Sequence, residues 1–173
     1  MTQFTYNEAF DPYHAVFRFA RLHLACDISA RMPFEMLRIL DFYLLFPFRL
    51  QGMRFLEHDT GWRKISKNYE KRTPYGAMPE DNVVFLRMEP FQRAAAASLV
   101  HSGYLEGAAW NVEEVKFTPE ELPLDFSSRC LAANEEMADF TNILCQIKSR
   151  YPLGGRDGLK DRTNLLEFRY DSI

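Results

Sequence analysis

The stretch FEMLRILDFYLLFPFRL, residues 34–50, decides how this chain folds. Met36 and Leu40 show the spacing of four that marks one face of a helix, and apolar residues also fill the other faces. A helix that is apolar nearly all round is buried on several sides. Pro47 ends the pattern because the residue before a proline disfavours helical conformation. The sequence therefore predicts a buried central helix over residues 34–46.

The same run does not fit a membrane span. Crossing a bilayer takes about 20 mostly apolar residues, and this run is shorter and contains Glu35, Arg38 and Asp41. The N-terminal residues 1–17 show no basic segment followed by an apolar one, so no signal peptide is expected. We therefore expect a cytoplasmic protein.

A helix, a break and a second helix are predicted in the middle of the chain. The pattern predicts a short helix over residues 83–88, a break before Pro90 and a second helix over residues 91–101. Residues 104–117 are then predicted to form a β-hairpin. This order is typical of a winged helix-turn-helix, which we expect over residues 34–118.

Further helices are expected on both sides of this core. Asp11-Pro12 predicts the start of an N-terminal helix, with Asp as the cap and Pro in the first turn. Residues 62–71 predict a solvated helix, residues 127–149 a long C-terminal helix, and residues 150–173 a Gly-rich basic loop and tail. The expected fold is a single, mainly α domain with a small β wing over all 173 residues.

Composition indicates a globular protein with many aromatic residues. Hydrophobic residues make up 47% and aromatic residues 14%, including 15 Phe and 8 Tyr. Aromatic residues fill cores and are also enriched in protein interfaces, so both uses remain open. The net charge of −3 argues weakly against a protein that coats nucleic acid.

The cysteines give no sign of a shared site. Cys26, Cys130 and Cys145 are odd in number, widely spaced, and form no C-x-x-C motif. This pattern argues against a metal knuckle or a disulfide framework. We therefore expect buried, reduced thiols.

No catalytic or cofactor-binding pattern stands out. The loop at residues 154–160 has three glycines but does not match the phosphate-binding motif G-x-x-x-x-G-K-[ST]. The histidines lack metal-site spacing, and His58-Asp59 is only a neighbouring pair. The sequence therefore predicts a protein that is not an enzyme and needs no metal or cofactor.

Two groups of residues are candidates for binding a partner. The first is an apolar stripe at coiled-coil spacing over two heptads, which fits either the domain's own core or a partner helix. The second is the basic part of the Gly-rich loop. The residues are Met137, Phe140, Leu144 and Ile147 in the stripe, and Arg156, Lys160 and Arg162 in the loop.

A DNA-binding function is the alternative. The predicted second helix of the helix-turn-helix offers Gln92 and Arg93 but few other base-reading groups, and the predicted wing is acidic. Non-specific contact with a DNA backbone remains open for the basic segment. Its candidate residues are Arg63, Lys64, Lys67 and Lys71. The alternative is therefore a winged-helix transcriptional regulator.

Several motifs along the chain carry a resemblance to a known family. In chain order they are Ile39-Leu40-Asp41-Phe42-Tyr43-Leu44-Leu45-Phe46-Pro47, Pro74-Tyr75, Met88 with Gln92-Arg93-Ala94, Leu99, Gly103-Tyr104-Leu105, and Gly158-Leu159-Lys160-Asp161-Arg162-Thr163. Over about residues 34–165 their order and spacing resemble those of the middle components of ABC-three-component systems.

The resemblance implies a function without chemistry of its own. Such middle components are small proteins encoded between an ABC- or SMC-type ATPase and an effector, often a nuclease, in prokaryotic conflict systems that include Lamassu-type antiphage defence. The resemblance implies an accessory subunit that links the ATPase to the effector against phage or plasmids. It also implies docking roles for the apolar stripe and the basic loop.

Overall fold

The computed structural model describes residues 8–72 and 78–166, and within them the protein is mainly helical. The α-helices are α1 (Pro12–Cys26), α2 (Phe34–Leu45), α3 (Trp62–Lys67), α4 (Asp81–His101), α5 (Gly107–Trp110), α6 (Leu124–Glu136), α7 (Ala138–Arg150) and α8 (Leu159–Thr163). The 3₁₀ segments are Pro47–Gly52, Glu57–Asp59 and Glu70–Arg72, and the strands are β1 (Met32–Pro33) and β2 (Glu114–Val115). The Pro74-Tyr75 motif and the tail beyond residue 166 lie outside the described residues.

The first two helices follow the sequence prediction. Asp11 caps α1, and its Oδ1 accepts a hydrogen bond of 2.8 Å from the backbone N–H of Tyr13. Helix α2 ends before Pro47, and all its residues but Glu35 are buried. The ring centroid of Phe42 lies 5.9 Å from that of Phe85 on α4. The prediction of a central helix buried on all sides is confirmed.

The predicted break before Pro90 is wrong, because α4 runs without interruption through this residue. A proline removes one helical hydrogen bond, here the one to the carbonyl of Leu86. The Leu86 side chain is 63% exposed, so this carbonyl lies on the water-facing side of the helix. In the same turn Arg38 Nη2 donates to the carbonyl of Phe85 at 3.3 Å. A helix-turn-helix needs a turn between its two helices, and α4 has none at Pro90. The winged-helix interpretation therefore stays a prediction.

The β-hairpin predicted over residues 104–117 is reduced to a single antiparallel bridge, and a wing stays a prediction. Gly103 takes a φ of +83° after α4, as expected for a residue that ends a helix. Leu105 and Phe117 then form an antiparallel bridge, which closes the segment that contains α5. Strand β2 pairs with β1 in an antiparallel register that matches Met32 with Val115. The small sheet therefore joins the predicted wing to the start of α2.

The long C-terminal helix expected over residues 127–149 is two helices, α6 and α7. They meet at Met137, whose φ of −125° and ψ of 32° are not helical. Helix α6 lies alongside α1 and runs in the same direction. The Phe17 and Phe126 rings are 6.0 Å apart near its start, and Arg21 Nε donates to Asn134 Oδ1 at 3.0 Å near its end.

The expectation of three reduced thiols is wrong for two of the cysteines. Cys26 at the end of α1 and Cys145 on α7 form a disulfide across 119 residues of sequence. Lys148 ties the same two helices together, since its Nζ donates to the carbonyls of Cys26 at 3.1 Å and Asp27 at 2.9 Å. Cys130 on α6 is free and buried, as expected.

The solvated helix predicted over residues 62–71 is shorter than expected. Helix α3 ends at Lys67, and a turn leads to the 3₁₀ segment Glu70–Arg72. Among the described residues, no helix is long and apolar enough to cross a membrane.

Candidate interaction surfaces

A chain of buried polar groups crosses the core between α1, α2 and α4. Arg18 Nε lies 2.6 Å from Asp41 Oδ1, and Gln92 Nε2 donates to Asp41 Oδ2 at 2.9 Å. Arg38 Nε donates to Gln92 Oε1 at 2.9 Å. Because these groups satisfy one another inside the chain, the network fixes the packing of the three helices.

The two residues that the DNA-binding alternative needs are held inside this network or beside it. Gln92 is fully buried. Arg93 on the same helix forms a two-point contact with Glu113, with nitrogen–oxygen distances of 3.0 and 2.9 Å, and its Nε donates to Glu89 at 3.0 Å. Neither side chain is presented to a DNA groove, so the structure does not favour base reading by α4.

The neighbouring pair His58-Asp59 forms part of a structural contact. Tyr151 donates its hydroxyl hydrogen to Asp59 Oδ2 at 2.7 Å, and Arg150 binds the same oxygen. Burial raises the pKa of Tyr151 to about 12, so its phenol stays protonated and keeps donating. Asp59 thereby joins a 3₁₀ segment to the end of α7, while His58 is exposed. Within the described ranges no group of three or more side chains could hold a metal ion.

The apolar stripe predicted as a partner surface packs in the chain's own core. Its members lie at the start of α7 and along it, and their exposed fractions are 3% or less. They are Met137 (3%), Phe140 (0%), Leu144 (0%) and Ile147 (0%). The sequence left open whether the stripe packs in the domain's own core or against a partner helix. In the structure it packs in the core.

The predicted Gly-rich basic loop contains the short helix α8, and two of its three basic candidates, Lys160 and Arg162, lie on this helix and support the fold. Lys160 Nζ lies 2.5 Å from Glu35 Oε2 on α2. Arg162 donates to the carbonyl of Arg54 at 2.8 Å, with its guanidinium over the ring of Tyr151. Arg156 is exposed at the tip. The loop is therefore a packed connection with one outward-facing cation.

The loop needs glycine at Gly158 for a steric reason. A Cβ at Gly158 would collide with the backbone carbonyl of Gly154. The glycine pattern thus reflects a tight turn rather than a cradle for phosphate.

A group of exposed lysines, which we call the lysine face, lies on α3 and the 3₁₀ segment Glu70–Arg72 that follows it. Lys64, Lys67 and Lys71 are all exposed. Ser66 holds the other side of the helix, since its buried hydroxyl donates to the carbonyl of Pro47 at 2.6 Å. The candidate Arg63 is also exposed and donates weakly to a backbone carbonyl at 3.4 Å.

A second surface, which sequence reasoning missed, lies on α6. Leu124 is 79% exposed and Leu131 is 53% exposed, and their spacing of seven puts them on the same side of the helix. We call this pair the leucine face. Tyr13 is 85% exposed at the start of the neighbouring, parallel α1. The signal in the sequence was the pair of leucines seven residues apart within one helix.

A groove begins at the leucine face and runs between the end of α1 and the connector before α6. Its residues include Leu122 and Leu124, with Glu120 and Glu121 on the connector. Lys116 also lines the groove, and its Nζ lies 3.6 Å from Glu106 Oε2. The His23 ring lies flat against Phe117 with centroids 4.1 Å apart. Burial lowers the pKa of His23, although Asp27 opposes this shift. The groove therefore has an aromatic wall and an acidic margin.

Charge divides between the segments that carry the two faces. Residues 102–139, which include the leucine face, hold nine acidic and two basic residues. Residues 54–71, which include the lysine face, hold five basic and three acidic residues. The chain thus offers two surfaces that differ in charge and in apolar character.

A comparison with protein families identifies the family of the chain. Residues 4–171 match the model of ABC-three component (ABC-3C) system Middle Component 5. No curated protein and no solved structure matches the chain. The match covers nearly the whole chain, and the chain therefore belongs to the Middle Component 5 family of ABC-three component systems.

Proposed function

We propose that this chain is a non-catalytic adaptor that links an SMC- or ABC-type ATPase to an effector, such as a nuclease, in prokaryotic defence against phage or plasmids. Membership of the family supports the accessory role, because a middle component works with the other components of its system. We also assign the adaptor to the cytoplasm, where ATP is available to its partner.

The leucine face is the observation that carries this proposal. Protein interfaces combine apolar anchors at the centre with a polar rim. Leu124 and Leu131 supply two exposed apolar side chains on one helix. The residues beside them are polar or charged, including Asp125, Arg129 and Glu135. This pattern is suited to a protein partner that covers the leucines and meets the charges at the edge.

The groove extends the leucine face toward the predicted wing. Leu124 belongs to both, so one partner surface can cover α6 and insert a side chain into the groove. The acidic margin of the groove favours a partner segment that carries Lys or Arg. We therefore expect the docking segment of the partner to be apolar with flanking basic residues.

Co-purification with the other components tests the proposal. The full-length chain is expressed with the ATPase and effector encoded beside it, and the double variant Leu124→Glu/Leu131→Glu is compared with the native chain. Placing carboxylates in an apolar interface is expected to weaken binding at least about tenfold. The control is Leu86→Glu, because Leu86 is 63% exposed on α4, away from the leucine face.

Two results would contradict the adaptor role. One is a native chain that binds none of the other components, and the other is a double variant that binds them as well as the native chain does. The isolated chain is also expected to hydrolyse no ATP, and hydrolysis that co-purifies with it through several columns would overturn the non-catalytic assignment.

A further inference from the structure

We propose that the lysine face binds the phosphate backbone of nucleic acid without reading its sequence. Lys64 and Lys67 are three residues apart on α3, the spacing that places two side chains on one side of a helix, and Lys71 follows in the 3₁₀ segment Glu70–Arg72. All three are exposed. The chain thereby presents three exposed positive charges within eight residues of sequence, and exposed lysines are groups that contact phosphates.

These lysines differ from several other cations in their part of the molecule, which are paired with carboxylates of the described residues. Lys160 is paired with Glu35, and Arg54 Nη2 lies 2.7 Å from Asp161 Oδ2. Arg150 is likewise bound to Asp59. The three lysines form no ion pair with any other residue that the structure describes. Their charge is therefore available to an external anion.

Two carboxylates near the lysine face, those of Glu70 and Asp139, bind other residues. Glu70 Oε1 accepts a hydrogen bond of 3.3 Å from Gln51 Nε2. Asp139, which faces this region from α7, accepts the hydroxyl hydrogen of Tyr69 at 2.6 Å. Since both carboxylates are engaged, they reduce the positive potential of the face without pairing with its lysines.

The lysine face rests on a firmly packed base. The Trp62 ring packs edge-on against Phe55 with centroids 5.7 Å apart, and Tyr69 contacts Phe140 at 5.4 Å. Ser66 between them is fully buried. The backbone under the lysines is therefore fixed before a partner arrives, and binding costs mainly side-chain freedom.

The composition of the face favours nucleic acid over an acidic protein. Lysine is depleted in protein interfaces, which depend on apolar and aromatic anchors. The strongly exposed large apolar side chains of the described chain lie on other elements: Tyr13, Leu86, Val112, Leu124 and Leu131. A group of exposed lysines without an apolar anchor is suited to contact with the phosphate backbone of nucleic acid, because that contact is electrostatic and independent of sequence.

Fluorescence anisotropy with the full-length chain tests this inference. The probe is a labelled duplex of random sequence and about 20 base pairs, titrated between roughly 50 and 200 mM NaCl. The triple variant Lys64→Gln/Lys67→Gln/Lys71→Gln is expected to lower affinity about tenfold or more at the lower salt, and to reduce the slope of log K against log salt by about 2 to 3. The variant is expected to melt at the native temperature, because the altered side chains are exposed.

A matched variant separates local contact from net charge. Arg87→Gln/Lys116→Gln/Arg129→Gln removes three positive charges from elements outside the lysine face. It is expected to keep most of the affinity. Equal losses in the two triple variants would overturn the proposal, as would a native chain that does not bind the duplex at low salt.

Nucleic-acid binding and subunit docking use different side chains, so each can be lost alone. The lysine variant is expected to co-purify with the other components as the native chain does. If it instead loses a protein partner while the native chain binds no duplex, the lysine face serves an acidic protein and the inference is wrong. Failure of the leucine-face variant has no bearing on the duplex titration.

Discussion

Helices α6 and α7 are consecutive and of equal length, 13 residues each, yet they carry their apolar residues in opposite ways. Helix α7 packs Phe140, Leu144 and Ile147 into the core with no exposed surface. Helix α6 buries little beyond Cys130 and Asn134 and leaves Leu124 and Leu131 in contact with water. Similar heptad spacing in sequence therefore serves the fold in one helix and a surface in the next.

The difference teaches that spacing alone does not identify an interface. Both helices have leucines or other apolar residues seven apart. Helix α6 packs on one side against α1, whereas α7 packs against α1, α2 and α3. The Cys26–Cys145 disulfide and two hydrogen bonds from Lys148 fix α7 to the end of α1. Helix α7 is thus a structural helix, while α6 presents a free side.

The largest expected effect is the loss of stability when a buried residue of α7 is shortened. Leu144→Ala removes a fully buried side chain and leaves a cavity, so the free energy of unfolding is expected to fall by about 2–5 kcal/mol. Urea denaturation followed by circular dichroism measures the loss. A change below about 1 kcal/mol would mean that the site is accessible to solvent, and would restore the partner-helix reading of the stripe.

The helical framework could be predicted from local signals. Asp11 and Pro12 specify the start of α1, and the apolar run with Pro47 specifies α2. The predicted break at Pro90 was wrong because a proline removes only one helical hydrogen bond, and Leu86, whose carbonyl loses its partner, is an exposed residue. Met137 carries no breaking signal, so the division between α6 and α7 was not visible in the sequence.

The next effect concerns the disulfide that holds α7. A cross-link that closes a long loop restricts the unfolded chain, so reduction is expected to lower the free energy of unfolding by about 2–4 kcal/mol. Without reductant, one thiol, Cys130, is expected to react with a thiol reagent in urea, against three after reduction. Lys148 still joins the helices after reduction, which favours the lower end of the range.

The variant Cys145→Ala is the control for that measurement. Its stability is expected not to depend on reductant, because the remaining cysteines form no disulfide. Three reactive thiols in the untreated native chain would show that Cys26 and Cys145 are not bonded to each other.

The candidate surfaces were harder to predict than the fold. The sequence showed that Lys64, Lys67 and Lys71 form a basic segment, but not that Lys160 is neutralised by a residue more than one hundred positions away. The apolar stripe on α7 has the same sequence pattern whether it packs in the core or at an interface. The pairing of Lys160 and the burial of the stripe both depend on contacts between residues far apart in sequence, which local patterns do not reveal.

The smallest expected effect on stability is that of shortening the exposed leucines of α6. The double variant Leu124→Ala/Leu131→Ala removes side chains that contact water, so its free energy of unfolding is expected to stay within about 0.5 kcal/mol of the native value. The same urea denaturation that detects Leu144→Ala provides the measurement. If the double variant is destabilised by as much as Leu144→Ala, the leucines support the fold and α6 offers no free face. If stability is unchanged while binding of the other components falls, the contribution of these leucines lies outside the isolated chain, as an adaptor surface requires.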